Sequence, residues 1–163
     1  PMARDLRILA SVIDVAGELE RMGDYAKGIA RITLRLGTEA PIKPLIDIPR
    51  MAELAQSMVK DGLDAFVQRD VELAREVAQR DEEVDQLRDQ IFRELLTYMH
   101  ATGQPDTVDR AIYLILVSRD LERVGDHASD IVENVTYMVE GRIVRHRKEE
   151  WWNEESGREG DTQ

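Results

Sequence analysis

Leu19-Glu20-Arg21-Met22-Gly23-Asp24-Tyr25-Ala26 returns later in the chain as Leu121-Glu122-Arg123-Val124-Gly125-Asp126-His127-Ala128. Aligning residues 18–29 with 120–131, an offset of 102, gives seven identities in twelve positions, and Glu18/Asp120 adds an acidic match. Upstream, Leu6/Val108 and Ile13/Ile115 keep the same apolar phase. Duplication of a helical unit is the simplest explanation. A glycine shared by two helix interiors costs about 1 kcal/mol relative to alanine, so it wants a packing or site reason.

Working outward from the repeat, periodicity predicts four helices. The first runs from about Arg4 to Leu36, with Leu6, Leu9, Ile13 and Ala16 at steps of three and four and Gly37 as its stop. Residues 38–50 contain Pro41, Pro44 and Pro49 and read as a linker. A second helix covers roughly Met51 to Gln68 and is expected to bury Leu54, Met58, Leu63 and Phe66. Asp70 is placed to cap a third, which reaches about His100 with Ala74, Val77, Val84, Ile91 and Leu95 inward. After Gly103 and Pro105 the fourth runs from about Asp106 to Glu140, ended by Gly141. The last three helices, joined by short loops, are expected to form an antiparallel three-helix bundle over 51–143. Helix 1–37 is then the last helix of a first bundle whose other helices are missing, and the opening at Pro1 rather than Met suggests a fragment. The polar tail 144–163, with its Trp151-Trp152 pair, is expected to be disordered.

Composition agrees with an all-α protein. Hydrophobic residues make up 42% of the 163 and aromatics 5%, which favours aliphatic amphipathic helices over a β-sandwich. A formal net charge of −11 argues against a nucleic-acid partner, since phosphate backbones select basic surfaces. The lack of cysteine removes thiolate metal sites and fits a cytoplasmic protein. No signal peptide is visible, and no apolar run approaches the roughly 20 residues that span a bilayer, so membrane association is expected to be peripheral and through partners.

The phase of the acids carries the chemistry. Continuing the stripe Leu6, Leu9, Ile13, Ala16 lands on Glu20 and then on Gly23 and Asp24; in the fourth helix Ile115 and Ser118 lead to Glu122 and Asp126. That phase turns the acids toward the bundle, where a carboxylate must be protonated, paired or bound to a cation. Asp81 and Asp85, one turn apart on the third helix, are expected to complete a four-carboxylate cluster with Glu122 and Asp126. Asp130 extends it by one turn, as Asp89 does in poorer phase. All-oxygen sites suit Mg, Mn or ferrous iron, and Zn less well. The plainer possibility is that these are solvated acids neutralised by Arg21 and Arg123. His127 follows Asp126, but Tyr25 holds that place in the first copy, which weakens a ligand role for it.

Residues 1–143 resemble the PhoU family. Pro1 to Arg7 followed by Leu19 to Ala26 looks like the third helix of that family, Leu121 to Ala128 like the sixth, and Arg80-Asp81-Glu82-Glu83-Val84-Asp85 like the fifth. The resemblance implies two similar three-helix bundles, a cytoplasmic and often dimeric protein, and negative regulation of the phosphate-starvation response. It implies an adaptor contacting the Pst phosphate transporter, through its ATPase subunit, and a sensor histidine kinase, with metal bound at ExxxD motifs. Carried over by position, Glu20 and Asp24 belong to one metal site and Asp81, Asp85, Glu122 and Asp126 to the other. The first site lacks partners from the missing helices, and Gly28 stands where the second copy has Asp130. The competing reading is a carboxylate-bridged di-metal enzyme, an oxidase or phosphohydrolase. Glu-x-x-His, the signature of ferritin-like di-metal bundles, is absent, as are nucleotide-binding and nucleophile motifs.

Overall fold

The computed structural model describes residues 2–143. The expectations for the 144–163 tail, His146 and the tryptophan pair lie outside them. Four helices follow in order: α1, Met2–Leu36; α2, Asp47–Gln68; α3, Val71–Thr102; and α4, Pro105–Glu140. No strand occurs among the described residues, and none of these helices is long and apolar enough to cross a membrane.

Local chemistry sets the ends. Gly37 and Gly141 stop α1 and α4 at φ +66 and +72, a left-handed conformation that glycine reaches without strain. The Asp70 side chain accepts a hydrogen bond from the Leu73 amide at 3.0 Å and caps α3. α2 begins at Asp47, four residues before the expected Met51, because Pro49 falls in the first turn, where no intrahelical N–H is needed. The linker is correspondingly shorter. It is tied down by an ion pair from Lys43 to Glu94 on α3 and by one between Glu39 and Arg110 on α4.

α2, α3 and α4 pack against one another, and α1 packs against α4 alone. Met51, Met58, Val77, Val84, Ile91, Leu95, Ile131, Val132 and Val135 are almost wholly buried and form the centre of the core. The inward set expected on α3 is fully buried. On α2 the buried line is instead Met51, Ala55, Met58, Gly62 and Ala65, with Leu54, Leu63 and Phe66 half-buried beside it. Small residues take the closest approach: a β-carbon on Gly62 would stand 3.5 Å from Val132 Cγ1 and 3.6 Å from the Ala128 carbonyl oxygen.

The face of α1 departs from expectation. Leu6, Leu9 and Ile13 are 60%, 61% and 72% exposed, and Ser11, Val15, Glu18 and Met22 are the buried residues. Both lines have helical spacing. The one against α4 is the one that is covered, and among the described residues no helix lies on the other.

Candidate metal centre

The chain's two repeats meet each other. α1 and α4 run antiparallel, with Arg7 beside Gly141, Glu18 beside His127, and Gly28 beside Asp120. Tyr25 and His127, equivalent positions in the two copies, stack with ring centroids 5.6 Å apart at an angle of 25°. The repeats are therefore paired about a local pseudo-two-fold axis near these rings.

Carboxylates gather in two places. In the first, Asp81 and Asp85 on α3 and Asp126 on α4 bring oxygen atoms within 4.8 Å of one another. Asp81 is 2% exposed, and the other two are half-buried. Gly125 sits at this approach: a β-carbon there would lie 3.4 Å from Val84 Cγ1 and 3.6 Å from Asp81 Oδ1, in van der Waals contact, with no space for a larger side chain in that direction. Three carboxylates so close repel one another unless a cation or proton intervenes. Their all-oxygen donor set fits a hard or intermediate divalent cation. Asp126 also accepts a hydrogen bond from Arg123 at 3.2 Å, so the neutralising arginine is present on its exposed side.

Glu122, expected as a full member of that group, stands at its rim, 3.6 Å from Arg88 Nε. Burial pushes its carboxyl above the ordinary value. Asp126 and Asp85 push the same way, against Arg88 and Arg123, so Glu122 feels the group's negative charge. Asp130 does not extend this cluster. It belongs to the second one, with Glu18 and His127, because α4 turns it toward α1 rather than α3. Asp89 is exposed and pairs with Arg88 at 3.0 Å.

The first-copy acids are placed differently from the expectation. Glu20, Gly23 and Asp24 are all exposed on the bare side of α1, and no β-carbon on Gly23 would meet anything within 4 Å. Glu18 is the acid of that turn that is buried, held by Arg21 at 2.5 Å and by His127 at 2.5 Å. The sequence reading missed it by following the more hydrophobic of two stripes. The signal was there in its acidic match to Asp120, itself buried and paired with Arg119 at 2.8 Å.

Helical repeats paired antiparallel, with no strand among the described residues, define the class as an all-α bundle protein. Within that class the assignment is specific: a family model for the PhoU domain matches residues 1–33 and 48–135, and the chain belongs to the PhoU family. It is 40% identical over 147 residues to the "Phosphate-specific transport system accessory protein PhoU homolog" of Aquifex aeolicus, covering 90% of this chain and 66% of that protein. With the homologue of the same name from Caulobacter vibrioides the identity is 43% over 149 residues, covering 91% and 64%. The chain thus spans slightly under two thirds of the length of these relatives. Among solved structures, PhoU from Pseudomonas aeruginosa superposes with a TM-score of 0.81 at 38% identity, covering 87% of this chain and 68% of that one. The phosphate transport system regulatory protein PhoU from Streptococcus pneumoniae gives 0.79 at 28% identity, covering 89% and 68%.

Proposed function

We propose that the chain acts as a regulator of phosphate uptake rather than as an enzyme. The observation that carries this is its identity of about 40% to proteins named as accessory to phosphate-specific transport, sustained over nine tenths of its length. In this reading it is a cytoplasmic adaptor and negative regulator of the phosphate-starvation response. It touches the transporter's ATPase subunit and a sensor histidine kinase, works as a homodimer, and reaches the membrane only through those partners. Residues 1–37 form one helix of a further three-helix bundle, and the bare apolar stripe of Leu6, Leu9 and Ile13 supports that assignment. Residues 47–143 form the second bundle, with the shorter stretch 37–46 as the connection.

Asp81, Asp85 and Asp126, with Glu122 at the rim, hold a divalent cation such as Mn, Mg, ferrous iron or Zn. The chemistry it supplies is charge compensation, letting α3 and α4 stay close at a point where their own acids repel. Glu20 and Asp24 form a second such site only where further ligands cover α1. A pull-down with the transporter's ATPase subunit tests the adaptor role, with retention expected. No retention, together with phosphatase turnover by the chain, would overturn it in favour of an enzyme. Metal analysis of the purified protein against an Asp81→Asn/Glu122→Gln variant tests the site, and equal metal content in the two sinks it.

A further inference from the structure

We propose a separate transition-metal site between the two repeats, built by Glu18 of α1 with His127 and Asp130 of α4. It stands independently of the regulatory reading and shares no residue with the Asp81, Asp85 and Asp126 group.

One imidazole nitrogen and two carboxylates converge there from opposite helices. His127 Nδ1 lies 2.5 Å from Glu18 Oε2 and 3.6 Å from Asp130 Oδ2, and the three ligand atoms all lie within 4.8 Å of one another. Ligands of a tetrahedral ion at bond lengths of about 2.0–2.2 Å stand roughly 3.3 Å apart, so a shift of under about 1 Å in Glu18 seats a cation. His127 and Asp130 sit three residues apart on one helix face, so α4 presents both without backbone rearrangement. Glu18 and His127 are largely buried, whereas Asp130 is about a third exposed and leaves an approach from solvent.

The ligands are held from behind. The guanidinium of Arg21 takes Glu18 Oε1, which leaves Oε2 directed into the cluster. Stacking on Tyr25 fixes the plane of the His127 ring. Supports of this kind orient metal ligands and lower the cost of ordering them. Nitrogen plus carboxylate donors select borderline divalent ions such as Zn, Co, Mn or ferrous iron over Mg or Ca. That separates this site chemically from the all-oxygen group between α3 and α4.

The pseudo-symmetry makes the assignment sharper. The mate of Glu18 is Asp120, and the mates of His127 and Asp130 are Tyr25 and Gly28. At that end of the same interface the acid lies against the bare backbone of Gly28, its Oδ2 only 2.8 Å from where a β-carbon would be, and pairs with Arg119. One end of the repeat pairing is closed by packing. The other carries three donors, and an ion seated among them would staple α1 to α4.

Zn(II) added to metal-free protein, followed through the histidine ring nitrogens by NMR, tests this in the unaltered chain. The His127 Nδ1 resonance is expected to move and to saturate with added Zn(II). A resonance unmoved at saturating Zn(II) means a hydrogen-bonded pair only and overturns the site. In an Asp81→Asn/Asp85→Asn/Asp126→Asn background, Glu18→Gln is expected to weaken Zn(II) binding at least as much as the roughly 10–100-fold that loss of an outer-shell partner costs. Affinity unchanged by Glu18→Gln overturns it as well. Co(II) is expected to give visible absorption bands that Glu18→Gln abolishes and the Asp81 variants retain.

Discussion

Burial lifts the Glu122 carboxyl above its ordinary value of 4.5, and Asp126 and Asp85 add to the lift. A folded-state value above the unfolded one means that the folded chain holds the proton more tightly. The stabilising contribution is therefore full below about pH 4.5 and is lost as pH rises through the folded value. At neutral pH the charged group weighs against folding. Glu122→Gln is expected to raise the melting temperature at pH 7, with the gain shrinking toward pH 4. A gain of equal size at both pH values would contradict this. The two glycines of the repeat make a second pair of expectations. Gly23 has open space around it, so Gly23→Ala should stabilise by about 0.5–1 kcal/mol through helix propensity. Gly125 lies against Val84 and Asp81, and Gly125→Leu should cost about 1–3 kcal/mol by overpacking. Urea unfolding of the two variants checks both, and the same sign for the two would be wrong.

Among the helices, legibility followed how many neighbours each one has. α3 has one buried face and one exposed face, so Ala74, Val77, Val84, Ile91 and Leu95 could be read from spacing alone. Asp70 and Gly141 were legible for a different reason, because capping is local chemistry. α1 misled the reading. It has one apolar line toward α4 and a stronger one, through Leu6, Leu9 and Ile13, that the described residues leave bare. Periodicity reports every face suited to burial and does not say which neighbour covers it. Of the α3/α4 acids, Asp81 and Asp85 continue the stripe of α3 and meet Asp126, whereas Glu122 stands at the rim and Asp130 turns to α1. Glu18 was harder to choose: its line with Ser11, Val15 and Met22 also has helical spacing, but that α4 covers this line at His127 is a long-range fact, hinted at only by the acidic match to Asp120.

At the scale of the molecule, α4 is the shared element. It packs against each of the other three helices and buries residues on most of its circumference, including Ser118, Asp120, Ser129 and Thr136. A helix surrounded in this way can leave its place only if the whole fold opens. α1 has the opposite situation. It is 35 residues long, yet it rests on α4 through a line of Ser11, Val15, Glu18 and Met22, with Ile29, Ile32 and Leu36 partly buried beyond it and its other sides uncovered among the described residues. Regions with few buried apolar contacts open locally at a lower free energy than the global transition. Native-state hydrogen exchange of this chain should therefore divide the helices. Amides of α1 should exchange through partial opening, with free energies well under those of Val84 to Leu95 in α3 and Ala128 to Val135 in α4. The amides around Glu18 to Tyr25, where the His127 contacts fall, should be the slowest within α1. If α1 instead exchanged only with global unfolding, the two repeats would be one cooperative unit, and the exposed stripe of Leu6, Leu9 and Ile13 would have to be covered in solution.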